Sequence, residues 1–257
     1  MEYGICNLGI VSVRSEGNDR AEILSQLLFG EHFKILEEAE KWIHIHKEKD
    51  QYKGWICKKQ FKEITYEDYD NLSINDFPVC GEKYTYLKDL EGQTMIPISY
   101  GAVLPYFHKG NCRIRKKNYQ FEGQISSANF NDLEKYAKSL LNTPYLWGGK
   151  GPLGIDCSGF SQLIYRLCGI SIPRDSFVQA EQGESVRSMD EIKKGDLAFF
   201  QNKEGKVNHV GIVQENNQII HASGKVRIDE LNESGIYTLD HKINTHKFHS
   251  IKRIFDQ

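Results

Sequence analysis

Long apolar runs, a one-sided charge balance and paired cysteines are all missing from this chain of 257 residues. Without a stretch of about 18 consecutive apolar residues, no transmembrane helix is expected. Lysine and arginine number 33 against 35 aspartates and glutamates, a net charge of −2, so the basic footprint that nucleic-acid binding requires is absent. The six cysteines show no C-x-x-C spacing, which points to reduced thiols and argues against a disulfide framework or a structural zinc site. Among nine histidines the closest neighbours, His44 and His46, sit beside Trp42 and Ile45 in a strand-like run, and no H-E-x-x-H motif occurs. No bound metal is expected. The N-terminal Met-Glu-Tyr-Gly-Ile-Cys lacks the basic start and apolar core of a secretory signal, so the expected location is cytoplasmic, or periplasmic or secreted if a leader was removed.

What is present is a chain whose halves differ in character. At 39% hydrophobic residues it has length enough for one large or two to three small domains. In the first half, short β-branched or aromatic runs are separated by charged turns: Ile10–Arg14, Ala39–His46 and Gly54–Cys57. A second set follows at Thr94–Ser99, Ala102–Phe107 and Asn118–Gly123, with Tyr66–Phe77 as the joining segment. This spacing suggests two small barrels in series, residues 1–66 and 67–124. From residue 125 the pattern changes. Leu133, Tyr136, Ala137, Leu140 and Leu141 form a helical stripe ended by Thr143-Pro144, and strands return at Asp196–Gln201, Val207–Val213, Gln218–Ala222 and a last segment ending at Ile254. Helices first and antiparallel strands after make residues 125–257 an α+β domain.

The most informative segment joins these helices. Tyr145-Leu-Trp-Gly-Gly-Lys-Gly-Pro-Leu-Gly-Ile-Asp-Cys157-Ser-Gly-Phe160 is a glycine-rich turn leading into a stripe of Phe160, Leu163, Ile164, Leu167 and Cys168, with Gly169 as the stop. Cys157 therefore opens a helix, where unpaired backbone N–H groups and the positive end of the helix dipole favour a thiolate. The other five cysteines, Cys6, Cys57, Cys80, Cys112 and Cys168, read as small buried hydrophobes.

A thiol nucleophile needs a base, and the base needs an orienting group. His209 lies in the apolar run Val207–Val213 beside Gly211, where a side chain is missing, and His221 lies in the next strand. Side chains alternate faces along a strand, so the connecting turn decides whether the two histidines meet. A two-residue loop, Asn216-Asn217, would set His221 opposite Ile212 and away from His209. A three-residue loop, Asn216–Gln218, would set it opposite Val213 on the face of His209. A catalytic pairing thus predicts an odd loop count or a bulge.

Tyr145-x-Trp-Gly-Gly, Asp156-Cys-Ser-Gly-Phe160, Gly195-Asp-Leu-x-Phe-Phe200, His209-Val-Gly-Ile212 and Ile220-His-Ala-Ser223 occur in the order seen in the NlpC/P60 family of cysteine peptidases, which the chain resembles over roughly residues 130–254. The resemblance implies a papain-like core that hydrolyses bacterial cell-wall peptides without a cofactor. It implies Cys157 as nucleophile, His209 as base, His221 as the orienting group and Tyr145 near the oxyanion. Through Ser25-Gln-Leu-Leu-Phe-Gly-Glu31 and Tyr52-Lys-Gly-Trp55, the first half is similar to the paired bacterial SH3-like domains of γ-D-glutamyl-L-diamino acid endopeptidases. In those enzymes the first such domain closes one end of the site and helps to hold the substrate's free amine. Carried over, that role falls to Glu31 and Tyr52 with Asp156 and Ser158. The expected substrate is a murein tripeptide or related cell-wall peptide, the expected state a monomer, and the middle domain a spacer. Two alternatives stand beside this one: a hydrolase of intact wall with the SH3-like domains as anchors, and a murein-binding protein without activity.

Overall fold

The computed structural model describes residues 2–238 and 240–255, and its packing divides the chain into two units, Met1–Ala128 and Asn129–Gln257. Among the described residues no helix is long and apolar enough to cross a membrane.

The N-terminal unit is sheet-rich. It runs through β1 (Tyr3–Ile5), β2 (Ile10–Arg14), β3 (Ile23–Leu28), β4 (His32–Glu38), β5 (Trp42–Lys47), β6 (Lys53–Cys57) and β7 (Lys62–Glu63) to α1 (Tyr66–Ile74). It continues with β8 (Tyr84–Asp89), β9 (Met95–Ser99), β10 (Asn111–Ile114) and β11 (Lys117–Phe121). The first seven strands form one sheet in the order β3-β2-β6-β5-β4-β1-β7, and the last four a second, β10-β11-β8-β9. Alternation in β2 and β5 turns Val11, Val13, Ile43 and Ile45 inward onto Leu27, Phe33 and Ile56. A further core joins Ile5, Phe29 and Ile64 of the first part to Tyr69 and Leu72 of α1 and to Leu87, Ile98 and Tyr119 of the second sheet. The joining segment is thus a helix, N-capped by Thr65, that shares a core with both sheets.

Two departures from the sequence expectation have local causes. Ala102–Phe107 forms no strand: Val103 makes a single bridge to Val79, Pro105 has no N–H to donate, and Tyr106 turns the chain with φ of 54°. The run at Ala39–His46 starts as a strand only at Trp42, because Ala39 N–H closes a turn onto the Trp42 carbonyl. β3 and β4, which lie on either side of Gly30, carry less regular alternation and were not anticipated as strands.

The C-terminal unit is α+β. Helix α2 (Leu133–Ser139) precedes a two-stranded hairpin, β12 (Lys150–Gly151) and β13 (Gly154–Ile155), and then α3 (Cys157–Leu167) and α4 (Ser176–Gln179). The strands that follow are β14 (Glu184–Val186), β15 (Leu197–Gln201), β16 (Val207–Val213), β17 (Gln218–Ser223), β18 (Lys225–Asn232), β19 (Gly235–Thr238) and β20 (Ile243–Arg253). Their order is β14-β20-β15-β16-β17-β18-β19, and β19 pairs again with β20, so six of the seven strands close on themselves. Ala198, Phe200, Val213, Ile219, Leu231, Ile236 and Ile251 fill the inside of that closed sheet. Helix α3 packs on the outside, against β16 and β17.

Candidate active site

Cys157 is the first residue of α3, as the sequence predicts, and it is buried. The preceding turn is built around Asp156. One carboxylate oxygen caps the helix by accepting from Gly159 N–H at 2.7 Å, and the other accepts from Gly148 N–H at 2.8 Å. Arg174 then closes on both oxygens, Nη1 to Oδ1 at 3.0 Å and Nη2 to Oδ2 at 2.6 Å, and donates to Ser158 Oγ at 2.8 Å. Both charges are nearly sealed from water, with Arg174 and Asp156 exposed by 2% and 5%. The result is a fixed frame that holds Cys157 in place. Arg174 was not anticipated from the sequence, where a lone arginine after the apolar Ile170-Ser-Ile-Pro173 is the one signal that could have pointed to it.

The thiol departs from the sequence expectation in one respect. Burial pushes Cys157 up to about 12, and the Asp156 carboxylate adds to that, while Val210 N–H, Arg174 and Ser158 N–H act in the other direction. Desolvation of a sealed sulfur thus outweighs the helix N-terminus. In the resting site the sulfur is a thiol, and it must lose its proton as it reacts. The Val210 N–H that reaches it belongs to the residue after His209, which places the sulfur beside that histidine's strand.

His209 lies on β16 next to a bulge in which Asn208 is the extra residue opposite β15. β16 and β17 pair with Gly211 opposite His221 and Val213 opposite Ile219, and Gln214 N–H bonds the Gln218 carbonyl. The loop is therefore three residues, Glu215–Asn217, with Asn216 and Asn217 both at positive φ. The odd count expected of a catalytic pair is present, but one residue earlier than Asn216–Gln218, so His221 opposes Gly211 and not Val213. The glycine is required there. A Cβ at Gly211 would lie 2.9 Å from Cβ of His221 and 2.6 Å from Cδ1 of Ile219.

On this shared inner face His209 Nε2 lies 2.8 Å from His221 Nδ1, the rings nearly perpendicular at 85°. His221 Nε2 is in turn 3.0 Å from Asp229 Oδ2 on β18. Arg227 clamps Asp229 through Nε to Oδ2 at 2.5 Å and Nη2 to Oδ1 at 2.8 Å, and also reaches Asp240 at 2.9 Å. His246 of β20 stacks on His209 at 4.2 Å between ring centres. Burial lowers His209 well below its ordinary value, with His221 and His246 adding to the shift, and burial also lowers His221. Both rings are neutral at pH 7. Asp229 is held down at about 2: desolvation opposes this, but the bonds from His221 and Arg227 prevail. Asp229, Arg227 and His246 were not anticipated from the sequence.

Tyr145 is half-buried, and its backbone N–H bonds the Gly224 carbonyl at 2.9 Å. Burial first, then the neighbouring Cys157 and Asp156, push its phenol upward, so it remains an O–H donor near the sulfur. The remaining candidates, Glu31 and Tyr52, belong to the N-terminal unit. Glu31 Oε2 accepts from Leu28 N–H at 2.9 Å and lies 3.7 Å from Lys47 Nζ, which also pairs with Asp50 at 2.6 Å. Tyr52 fixes the same hairpin, its carbonyl accepting from Lys47 N–H at 2.8 Å.

A thiol at a helix start, a neutral imidazole on the adjoining strand and a phenol donor make a constellation suited to nucleophilic attack on an acyl carbon. Comparison with known proteins agrees with that chemistry. Residues 142–244 match the NlpC/P60 family, and residues 13–61 match the bacterial dipeptidyl-peptidase Sh3 domain. A γ-D-glutamyl-L-lysine dipeptidyl-peptidase of Bacillus cereus is 30% identical over 241 residues, covering 82% of this chain and 71% of that protein. Its counterpart from Bacillus subtilis is 28% identical over 254 residues, with 91% and 82% covered. The crystal structure of an NlpC/P60 family protein from Bacillus cereus matches the fold with a TM-score of 0.83 at 21% identity, covering 99% of this chain and 100% of that one. An SH3-like N-terminal region, the motif order around Cys157 and similarity along most of two peptidases lead to one conclusion: this chain belongs to the NlpC/P60 family and is a cysteine peptidase.

Proposed function

We propose that the enzyme hydrolyses the γ-D-glutamyl–L-diamino acid bond of murein peptides that carry a free N-terminal L-alanine, a reaction of cell-wall peptide recycling. The observation that carries the reading is the thiol of Cys157 at the start of α3 beside a buried His209–His221 pair. As Cys157 Sγ attacks the γ-glutamyl carbonyl carbon, its proton passes to the ring nitrogen of His209 that does not face His221. The Cys157 N–H, free at the helix start, and the Tyr145 hydroxyl stabilise the oxyanion. His209 then gives the proton to the departing amine of the diamino acid, leaving a thioester. Water, deprotonated by His209, hydrolyses it and releases L-Ala-D-Glu.

The names of the two Bacillus relatives specify this bond with lysine as the diamino acid. By the likeness of residues 13–61 to the dipeptidyl-peptidase Sh3 domain, Glu31 and Tyr52 are proposed ligands of the substrate's ammonium, and within the C-terminal unit Asp156 and Ser158, which flank the nucleophile, are proposed substrate contacts. A carboxylate such as that of Glu31 has the sign an ammonium needs. Matched peptides with free and N-acetylated alanine test the reading. The acetylated peptide is expected to be cleaved about a hundredfold more slowly or worse, since a polar pocket built for a donor is left unpaired. Equal rates, or faster release from intact crosslinked wall, would favour a wall hydrolase instead.

A further inference from the structure

We propose that Asp229 is a positioning residue that sets the tautomer of both histidines and so decides which nitrogen of His209 serves as the base. The inference deepens the proposed function, since it rests on Cys157 and His209 acting as nucleophile and base. It follows from counting protons along three groups. A carboxylate can only accept, so the 3.0 Å contact between Asp229 Oδ2 and His221 Nε2 places a hydrogen on that nitrogen. His221 is neutral in its buried setting, so its Nδ1 carries a lone pair. The 2.8 Å contact between His221 Nδ1 and His209 Nε2 then requires His209 to donate from Nε2. A neutral His209 with its hydrogen on Nε2 keeps its lone pair on Nδ1, the nitrogen available to the thiol.

Reversing any one step disables the base. With His221 protonated on both nitrogens, or with its hydrogen on Nδ1, His209 Nε2 would have to accept, and His209 Nδ1 would carry the hydrogen. Arg227 guards against both outcomes. Its two bonds keep Asp229 ionised, and its positive charge opposes a second proton on His221. The charged and titratable groups around Asp229 come from three strands: Arg227 on β18 itself, His221 on β17 and His246 on β20, with Asp240 on the far side of Arg227. The geometry is not a simple ion pair. Asp229 Oδ2 accepts two bonds, from His221 Nε2 and Arg227 Nε, whereas Oδ1 accepts from Arg227 Nη2.

That asymmetry separates Asp229→Asn from Asp229→Leu. An asparagine oxygen placed at Oδ2 still accepts from His221 Nε2 and Arg227 Nε and so holds the tautomer, while its amide nitrogen faces Arg227 Nη2 donor to donor and loses that one bond. A leucine removes the acceptor and releases it. Nitrogen-15 NMR of histidine-labelled protein at pH 7 reads the state directly. His221 Nε2 and His209 Nε2 are expected to be protonated, and both Nδ1 atoms to be unprotonated. Asp229→Asn is expected to keep this pattern and to lower kcat less than tenfold. Asp229→Leu is expected to mix the tautomers and to lower kcat about a hundredfold with little change in KM, since setting the wrong tautomer of a catalytic histidine costs up to about 10⁴-fold in other hydrolases. A hydrogen on His209 Nδ1 in the native enzyme would overturn the proposal, as would a folded Asp229→Leu with native kcat. If Asp229→Leu fails to fold, the native spectrum still decides. The same spectrum recorded on Cys157→Ala tests the tautomer independently of turnover, so failure of this inference is distinguishable from failure of the proposed reaction.

Discussion

Replacing His209 with alanine is expected to lower kcat/KM by about 10⁴-fold, because in the proposed mechanism His209 is the base that takes the proton of the buried thiol. Burial holds Cys157 in its protonated form, and its neighbours Val210 N–H and Arg174 offset only part of that. A site with a preformed thiolate would lose less, since its nucleophile would survive without the base. His209→Ala should therefore be close to Cys157→Ala in activity, and the double variant close to either, as expected of groups that act as a unit. Steady-state rates on one peptide, with circular dichroism to confirm the fold, measure this. A loss of only about tenfold would mean that the helix N-terminus alone ionises the sulfur.

The second large effect concerns stability. Arg174→Met is expected to cost about 3–5 kcal/mol, because it leaves the Asp156 carboxylate charged and buried without its partner. The two residues are exposed by 2% and 5%, so water does little to relieve the loss. Asp156 would keep its bonds from Gly148 N–H and Gly159 N–H, which limits the damage but does not replace the charge. Adding Asp156→Asn to Arg174→Met is expected to recover part of the loss, since the asparagine oxygen can still cap α3 while the unpaired charge is gone. Urea unfolding of the single and double variants measures the coupling, and additive losses would contradict the pairing. A loss of about 3 kcal/mol is large against the 5–15 kcal/mol by which most domains are stable.

The parts of the site legible in the sequence were those that depend on local order. Cys157 could be placed at a helix start from the apolar stripe behind it and the glycines before it. His209 and His221 could be tied together through the parity of one loop, because side-chain alternation leaves only two answers. Locating the loop was harder: Asn216 and Asn217 both take left-handed conformations, but the third loop residue is Glu215, on the side of β16. Asp229 and Arg227 were not found, although Val226-Arg-Ile-Asp-Glu-Leu231 alternates clearly enough to put both charges on one face. Their link to His221 depends on the register between β17 and β18, which sets Ile219 against Asp229 and His221 against Arg227. Arg174 and His246 are set by longer-range packing still, the first by a loop after α3 and the second by closure of β20 onto both β15 and β19. The sulfur's upward shift was missed for a related reason. A helix start is visible in sequence, whereas the depth at which it is buried is not.

Central to the account is that Cys157 becomes acylated by the part of the peptide that ends in D-glutamate. Acid quenching of the enzyme during turnover of L-Ala-γ-D-Glu-L-Lys, followed by mass spectrometry of the intact protein and of its proteolytic peptides, tests this directly. The expected result is an adduct of the L-Ala-D-Glu acyl group on the peptide containing Cys157, released by hydroxylamine and absent from Cys157→Ala. Cleavage of the peptide by Cys157→Ala at the native rate, with no adduct on the native enzyme, would contradict it.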